Sequence, residues 1–460
     1  MATKTNQELA SLFVEEEKFR DRLLYDRETD SYWYYTGKIW RPMSKQELRD
    51  EVARLVWERD NTNRMTVGKM DDIIKQLSQY LGEDSVYKKI RTYGYKVEAI
   101  EEMGISFNDG IFLYENKSII EHAPSLDRLA LVHLAFNYAD ISKAECPIFD
   151  AYLKTTCLDE DGDYNEGMAT QLQEVAGWIL SNERAEKFII LQGTGGNGKT
   201  PYLNLLTAAV GKDRTISMSI EDMTTDRFAL WEFLGKKLNA MDEDESKAIN
   251  ASKLKAIVSG SLMRTQRKFG DGFSMMVRAK NIFATNAPPC IENLDQAMKR
   301  RIMIIPFEHT MEEKNFDRNL ARKMVKNEMP GIIRWMLAGM EKIQAQNCVF
   351  TQTTQSQAAM DSFESANSSV IEYIKEYWEL DIDNPTPASE VYGHYVQWCK
   401  DTGHRPVSSN KFGRRAVPLI GKARSKELNE RRVWCYHVRL KPGVGSILQN
   451  KRLSPDQIAF

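Results

Sequence analysis

The sequence predicts an α/β protein built around a phosphate-binding loop, and three observations support this prediction. An apolar run at 188–191 precedes a glycine-rich segment, which is followed by an amphipathic stretch at 203–210. Two further strand-like runs, 238–241 and 281–285, each end in polar side chains. Strands that alternate with helices are typical of a parallel sheet. We therefore expect a core in which these polar ends meet the glycine-rich loop.

The glycine-rich segment fits the pattern G-x-x-x-x-G-K-T without a mismatch. Glycines let backbone N–H groups face an anion, and the start of the following helix adds positive potential. Lys199 is expected to reach the β- and γ-phosphates of a nucleotide, and Thr200 to ligate Mg²⁺. The alternative, a chance glycine loop, is disfavoured by the flanking strand and helix. The predicted nucleotide-binding residues are Gly193, Thr194, Gly195, Gly196, Asn197, Gly198, Lys199 and Thr200.

Two carboxylates follow the strand at 238–241. Asp242 is expected to hold Mg²⁺ through water, and Glu243 to polarise the attacking water. A paired Asp-Glu favours ATP hydrolysis over phosphoryl transfer to a small molecule. The alternative is a solvated acidic turn, since residues 244 and 245 are acidic too.

Two more polar features follow along the chain. Asn286 ends the strand at 281–285 and is expected to help position the lytic water; the alternative is an asparagine that caps the turn before Pro288. Arg300 and Arg301 precede the strand-like run 302–307. One of them is expected to act as a finger on the γ-phosphate of a neighbouring subunit, and the alternative is a solvated basic turn.

These four features, in this order, resemble the helicase part of the phage and plasmid primase-helicases, which is related to the poxvirus primase-helicase. The matching positions are 195–200, 235–243, 259–260, 284–286, 300–301 and 306–307, with weaker matches upstream at 108–110, 144–147 and 172–178. The resemblance covers roughly residues 20–440. It implies a superfamily III helicase with an AAA+ P-loop ATPase core, dependent on ATP and Mg²⁺. It also implies a ring, expected to be a homo-hexamer, that travels 3′-to-5′ on single-stranded DNA and acts at forked DNA during replication.

Composition agrees with such a protein. At 460 residues, two or three domains are expected, and 42% hydrophobic residues suffice for real cores. The six cysteines form no C-x-x-C pair, which argues against a disulfide framework and a zinc ribbon. No run approaches the roughly 18 apolar residues of a membrane span, and the amino terminus is too polar for a signal peptide. We expect a protein of the host cytoplasm without a membrane partner. No polymerising primase domain is visible, so a primase is expected to be a separate protein.

Basic residues are concentrated in two places, although the net charge is −2. Residues 251–280 hold seven basic residues and one acid, and residues 411–460 hold twelve basic and three acidic residues. The first region contains Asp271-Gly272 between two strand-like runs, which indicates a hairpin. In the resembled family, a hairpin here grips one DNA strand within the ring channel. The residues expected to contact DNA are Arg264, Arg267, Lys268 and Phe269; the alternative is a solvated surface hairpin.

Four segments are expected: an α+β accessory and oligomerisation domain at 1–150, the ATPase at 151–345, a linker at 346–367, and a winged-helix-like domain with a flexible tail at 368–460. In the last, a second helix carrying Lys411, Arg414 and Arg415 is expected to enter the major groove. The alternative is a basic protein-binding module. The aromatic cluster at 32–40 is expected to form a small core, with a base-stacking platform as the alternative.

The same residues are also compatible with two other functions. One is an origin-binding initiator whose ATPase chiefly drives assembly. The other is a P-loop sensor ATPase that does not travel on DNA.

Overall fold

A computed structural model describes the chain at residues 4–27, 30–59, 65–83, 104–113, 118–120, 130–181, 183–244, 249–266, 272–286, 289, 291, 294–311, 317–404, 406–421, 423–424 and 433–442. The chain divides into two compact units, Met1–Pro289 with Gln296–Gln357, and Cys290–Asp295 with Ala358–Phe460. The predicted segments 1–150 and 151–345 both fall in the first unit, apart from 290–295. No helix in the described ranges is long and apolar enough to cross a membrane.

The amino-terminal part pairs three helices with an aromatic sheet of order β3-β2-β1-β4. Its elements are α1 Asn6–Glu15, β1 Leu23–Asp26, β2 Ser31–Tyr35, β3 Trp40–Met43, α2 Lys45–Arg59, α3 Val67–Leu81 and β4 Gly82–Glu83. Tyr32, Trp33, Tyr35 and Trp40 are each at most 3% exposed. Rings this deeply buried cannot stack on bases, so the expected small core is confirmed for these four residues.

A second small sheet follows, with order β7-β6-β5-β8. Its strands are β5 Gly104–Phe107, β6 Gly110–Leu113, β7 Ser118–Ile120 and β8 Ala130–His133. The Asp109 carboxylate accepts hydrogen bonds from the backbone N–H groups of Tyr138 (2.8 Å) and Ala139 (3.3 Å), at the start of α4 Tyr138–Ile141. The 108–110 motif therefore forms a turn that also holds the next helix.

Two helices lead into the central sheet, α5 Pro147–Thr156 and α6 Glu166–Leu180. Pro147 begins α5, where its missing N–H has no cost. The N–H groups of Ile148 and Phe149 each donate to the Glu328 carboxylate at 2.9 Å. An anion at this helix end complements the helix dipole, so Glu328 fixes where α5 begins.

The centre of the first unit is a five-stranded parallel sheet of order β10-β11-β14-β9-β15. Fully buried apolar runs such as 188–191 suit a sheet covered on both faces. The predicted α/β architecture with a parallel sheet is confirmed. The strands of this sheet, the helices around it and the separate hairpin β12–β13 are, in chain order, β9 Phe188–Gln192, α7 Lys199–Val210, β10 Thr215–Ile216, α8 Ile220–Thr225, β11 Leu238–Met241, α9 Ala251–Val258, β12 Met263–Gln266, β13 Gly272–Met275, β14 Lys280–Thr285, α10 Gln296–Lys299 and β15 Ile302–Pro306.

Two lysines are buried at the amino edge of this sheet. Lys237 and Lys280 are each 7% exposed, and their ammonium groups donate to the carbonyls of Leu180 and Glu183 at the end of α6. Burial, with a smaller contribution from neighbouring positive charge, lowers the pKa of Lys237 to about 7 and that of Lys280 to about 8. Both lysines therefore lose their protons at a lower pH in the folded chain than in the unfolded chain, where a lysine titrates near pH 10.

This burial predicts a pH dependence of stability. Between pH about 7 and 10 the unfolded chain keeps the Lys237 proton that the folded chain has lost, so the contribution of Lys237 to the free energy of unfolding should rise with pH. Lys237→Met should remove this contribution and lower the slope of the unfolding free energy against pH, measured by urea unfolding across that range. Lys212→Met, at an exposed site, is the matched control and should keep the parental slope. Parallel curves for wild type and Lys237→Met would show that Lys237 is charged in the fold.

A long helix, α11 Leu320–Ala345, packs against α6 through two glycines. A Cβ atom at Gly177 would lie 2.0 Å from the Met340 nitrogen, and one at Gly339 would lie 2.0 Å from the Gln173 carbonyl oxygen. The close approach of α6 to α11 is thus possible because Gly177 and Gly339 have no side chains.

The next helix, α12 Thr354–Ala366, lies within the segment predicted as a linker.

We expect Gly177→Ala to destabilise the first unit by about 3 kcal/mol, because the extra methyl meets backbone atoms that cannot rotate away. Thermal unfolding measures this effect. Gly68→Ala is the control, since nothing lies within 4 Å of its Cβ position in α3, and it should leave the midpoint unchanged or slightly raised. Equal midpoints for Gly177→Ala and Gly68→Ala would contradict the close packing.

The second unit is a small α+β module with an aromatic core. Its elements are α13 Ser369–Tyr377, β16 Trp378–Leu380, β17 Thr386–Pro387, α14 Ala388–Thr402, α15 Ser409–Ile420, β18 Ala423–Arg424, β19 Trp434–Tyr436 and β20 Val438–Leu440. Strand β16 pairs with β20, and β19 lies between β17 and β18. The predicted helix that carries Lys411, Arg414 and Arg415 is present as α15. The tail after residue 442 lies outside the described residues.

Candidate functional site

The glycine-rich loop curls at the carboxyl end of β9 and leads directly into α7. Gly195, Gly196 and Gly198 have φ angles of 102°, 61° and 95°, which L side chains rarely adopt. At Gly198 a Cβ atom would also lie 2.7 Å from the Thr156 hydroxyl oxygen. The loop therefore requires glycine for its backbone angles and, at Gly198, for its packing. Positive φ angles of this kind are typical of loops whose backbone N–H groups face an anion.

Lys199 lies at the start of α7 with its side chain folded into the loop. Its ammonium group donates to the Gly193 carbonyl at 2.6 Å and to Asn197 Oδ1 at 2.9 Å. Burial lowers the pKa of Lys199, while Asp242 and Glu243 act in the opposite direction. An ammonium group has three N–H donors, so these contacts leave one for a phosphate oxygen.

Helix α5 supports the loop from behind. The Tyr152 hydroxyl donates to the Gly198 carbonyl at 2.9 Å, and Thr156 packs against Gly198. Because Glu328 on α11 fixes the start of α5, the Tyr152 contact links α11 to the glycine-rich loop. The sequence does not predict a role for Tyr152, since no local pattern places residue 152 beside residue 198.

The two carboxylates lie at the carboxyl end of β11 and line the same cleft as Lys199. Glu243 has φ 55°, a left-handed conformation that is uncommon for glutamate. The following N–H, from Asp244, donates to the Ala284 carbonyl at 2.8 Å and ties this turn to β14. Backbone strain of this kind persists only where the surroundings over-determine it, and it clusters at functional sites.

Sheet order brings the remaining predicted residue to this edge. Strand β14 lies between β11 and β9, with Phe283 paired to Met241 on one side and to Ile190 on the other. Asn286 follows β14, is exposed, and lines the cleft with Thr200 and Asp242. The carboxyl ends of parallel strands meet at one edge, so the loop, both carboxylates and Asn286 share one site.

The cleft has a volume of about 960 Å³, which is the size range of small-molecule sites. Its lining combines the polar groups of the loop, the carboxylates and Asn286 with a set of more apolar residues, Ile148, Ala151, Tyr152, Pro201, Leu320 and Ala321. A ligand that carries both charged groups and a flat, weakly polar group would match such a lining.

A segment after β15 covers the loop and was not predicted. Asn197 Nδ2 donates to the Phe307 carbonyl at 3.1 Å, and the Met311 N–H donates to the Gly196 carbonyl at 3.0 Å. His309 and Arg318 also line the cleft and place cationic or proton-accepting groups there. No motif in the sequence signals His309, Met311 or Arg318, because only the fold brings them to the loop.

The two arginines before β15 have different surroundings. Arg301 is 8% exposed and donates to Ser259 Oγ at 2.7 and 3.0 Å, to the Ala297 carbonyl at 2.8 Å and to Glu186 at 3.0 Å. The Arg300 guanidinium is exposed and has no hydrogen-bond or ion-pair partner among the described residues. Only Arg300 is therefore available to a second molecule. Arg301 explains the 259–260 motif, since Ser259 accepts its hydrogen bonds.

The structure describes the two strands of the β-hairpin that is predicted to contact DNA. Strands β12 and β13 pair antiparallel, from Met263 beside Met275 to Gln266 beside Gly272. Arg264 is exposed on β12. Arg267, Lys268 and Phe269 lie outside the described residues, so their expected contacts with DNA stay predictions.

Helix α15 carries the predicted basic residues of the second unit. Arg414 is exposed, whereas Lys411 and Arg415 are half-buried. Arg415 Nη2 donates to the Leu294 carbonyl at 3.3 Å, and the Lys411 charge lies near Asp295. Arg414 is thus the most accessible of the three, and Arg415 already has a partner within its own unit.

Two family models match separate parts of this chain. Residues 191–301 match a family of unknown function, DUF5906, and residues 365–430 match the family described as poxvirus D5 protein-like. A putative helicase of Acanthamoeba polyphaga mimivirus, L207/L206, is 24% identical over 249 residues. The resemblance to the viral primase-helicases is confirmed. The matched region covers 51% of this chain and 25% of the mimivirus protein, so the chain matches about a quarter of that relative's length.

Solved structures similar to the chain include two of the C-terminal region of NrS-1 in its apo state. The first has a TM-score of 0.47 at 14% identity and covers 95% of this chain and 100% of that one. The second, of residues 305–718, has a TM-score of 0.44 at 14% identity with the same coverage.

The two family matches cover the two regions in which site residues were predicted. The first spans the glycine-rich loop, the carboxylates, Asn286 and both arginines. The second spans helices α13 to α15 with the basic residues of the second unit. The relatives are thus similar to this chain in the two segments that sequence analysis selected.

Proposed function

We propose that the chain is the motor subunit of an ATP-dependent, ring-forming replicative DNA helicase. The observation that carries this proposal is one cleft that unites the glycine-rich loop with Lys199, the carboxylates Asp242 and Glu243, and Asn286. The poxvirus and mimivirus relatives favour a replication-associated helicase. The AAA+ class, the hexamer, 3′-to-5′ travel and a host cytoplasmic location come from the family resemblance.

The cleft suits hydrolysis of a nucleoside triphosphate. Backbone N–H groups of the loop and Lys199 would hold the β- and γ-phosphates. Glu243 would accept a proton from the attacking water, and Asn286 would orient that water. Apolar lining residues of the cleft, among them Ile148 and Pro201, would hold the base.

Residues in the cleft also fit a magnesium ion. Thr200 and Asp242 are both accessible from it and provide hard oxygen ligands. Among the described residues no cluster of three or more His, Cys, Asp or Glu side chains could hold a metal by itself. That agrees with Mg²⁺ held by few protein ligands together with phosphate oxygens and water, where it would neutralise charge on the phosphates.

The position of Arg300 favours an assembly in which subunits form a ring. It precedes β15, whose first residue Ile302 pairs with Phe188 at the start of β9, whereas the loop follows the end of β9. A five-residue strand spans about 16 Å, so Arg300 lies at the opposite edge from its own loop. It could complete only the site of another subunit, as an arginine finger does.

DNA contacts are assigned to two basic places. Arg264 on β12, with Arg267, Lys268 and Phe269 beyond it, would grip single-stranded DNA in the ring channel. The second unit contains α14, α15 and the strand β19. As a winged helix, it would present Arg414 on α15 to the major groove. This basic helix favours origin recognition as a second activity of the same chain, with a primase as a separate partner.

We expect the single-stranded DNA grip to be separable from ATP chemistry. Reversing charge at Arg264, Arg267 and Lys268 should abolish stimulation of ATP hydrolysis by single-stranded DNA and flatten the salt dependence of binding, because three phosphate contacts are lost. Basal hydrolysis should persist. Measuring ATP turnover with and without DNA at several salt concentrations tests this. Full stimulation in the triple variant would place the DNA path elsewhere, and a wild-type protein without ATP hydrolysis would contradict the proposed function.

A further inference from the structure

A hydrogen bond from helix α5 reaches the glycine-rich loop at its last glycine. The Gly198 carbonyl accepts from the Tyr152 hydroxyl at 2.9 Å and, at the start of α7, from the Tyr202 N–H at 3.3 Å. Gly198 has φ 95°. Glycine populates positive and negative φ about equally, so Gly198 does not by itself fix the direction of its carbonyl. The Tyr152 hydroxyl makes the shorter of the two bonds that do fix it.

The direction of this carbonyl also sets the direction of the Lys199 N–H. Both groups belong to one planar trans peptide unit, so they point in opposite directions. The Lys199 N–H lies at the beginning of α7, where backbone N–H groups have no partner within the helix and the helix dipole attracts anions. Holding the Gly198 carbonyl therefore holds a donor that the phosphates of a nucleotide in the cleft would use.

Helix α11 fixes the position of Tyr152. Glu328 on α11 accepts two N–H groups at the start of α5, and the Trp335 ring packs edge-on against Phe149, with ring centroids 4.8 Å apart. Tyr152 follows Phe149 by one helical turn and is 2% exposed. Burial raises the pKa of Tyr152 well above its usual value, so the hydroxyl stays protonated and able to donate.

We propose that Tyr152 is a positioning residue for nucleotide binding, whose hydroxyl orients the Gly198–Lys199 peptide toward the phosphates. This inference rests on the proposed function, because it assigns the hydroxyl a role in the binding of ATP. Loss of such a hydrogen bond changes an equilibrium constant several-fold, so Tyr152→Phe should raise KM and Kd for ATP about fivefold. The parental kcat should be kept, since the loop holds the same phosphates in the ground state and in the transition state.

Tyr202→Phe in the full-length protein is the matched control. Tyr202 is 0% exposed, and its hydroxyl donates to the Leu172 carbonyl on α6 at 2.6 Å. Both substitutions remove one buried hydroxyl and one hydrogen bond to a backbone carbonyl, so both should lower the thermal unfolding midpoint to a similar extent. Only Tyr152→Phe should raise KM, and this difference separates a positioning role from a purely structural one.

A probe without a base distinguishes the phosphates from the nucleoside. The inhibition constant of tripolyphosphate against ATP hydrolysis should rise in Tyr152→Phe by the same factor as KM for ATP. A rise for ATP alone would overturn the proposal, because the side chain would then act on the nucleoside. A parental KM in Tyr152→Phe would overturn it as well.

A second variant keeps the test open if Tyr152→Phe does not fold. Glu328→Gln leaves one oxygen for the N–H groups at the start of α5 but removes the charge, so it should raise KM in the same direction and by less. A parental KM in Glu328→Gln would then overturn the proposal. A wild-type protein that does not hydrolyse ATP would instead contradict the proposed function, which distinguishes the two failures.

Discussion

We expect Glu243→Gln to lower ATP hydrolysis about a hundredfold or more while ATP binding is retained. Glutamine preserves the size and hydrogen bonding of the side chain but cannot accept a proton from water. The backbone of Glu243 is held in a left-handed conformation at the cleft, so the substitution should leave the turn in place. Single-turnover hydrolysis and equilibrium binding of a fluorescent ATP analogue measure the two properties separately.

Two further variants serve as controls for this result. Glu232→Gln makes the same chemical change at an exposed site and should hydrolyse ATP at the parental rate. Lys199→Ala removes the ammonium group of the loop and should lose binding itself. Parental hydrolysis by Glu243→Gln would exclude it as the base.

Arg300→Ala should abolish most ATP turnover without affecting the fold. An arginine finger contributes about a thousandfold or more to phosphoryl transfer, and Arg300 has no partner among the described residues whose loss would destabilise the chain. The variant should still bind ATP, and mixing it with Lys199→Ala subunits should restore part of the activity. A monomer that keeps full DNA-stimulated turnover at every dilution would contradict the shared site.

Arg301→Ala should behave differently, although the two arginines are adjacent. Its guanidinium makes hydrogen bonds to Ser259, Ala297 and Glu186, so the substitution should destabilise the first unit by about 2 kcal/mol. Thermal unfolding should show a lowered midpoint for Arg301→Ala and a parental one for Arg300→Ala. A parental midpoint for Arg301→Ala, with turnover lost, would make Arg301 the finger instead.

The parts of the site that the sequence predicts are those encoded locally. A strand, a glycine-rich loop and a helix follow one another along the chain, and each further strand carries its polar residue at its own end. Because parallel strands place these ends at one edge, Asp242, Glu243 and Asn286 were expected beside Lys199, and the structure brings them together.

What the sequence does not predict depends on contacts between distant residues. Tyr152 reaches Gly198 across 46 residues, and Asn197 reaches Phe307 across 110. Burial also distinguishes Arg300 from Arg301, and two neighbouring arginines are indistinguishable in sequence. The hydrogen bond from the Ile291 N–H to Asn367 Oδ1 belongs to the same class, since nothing in the segment 290–295 signals that it joins the second unit.

The central claim is that ATP hydrolysis in this cleft separates DNA strands. Strand displacement on forked DNA with a 3′ or a 5′ single-stranded tail tests it most directly, with wild type and Glu243→Gln compared in the presence of ATP and Mg²⁺. We expect wild type to displace the strand when it can load on the 3′ tail, and Glu243→Gln to bind the fork without displacing it. ATP hydrolysis by wild type without displacement on either fork would contradict the helicase assignment and favour an initiator or sensor ATPase.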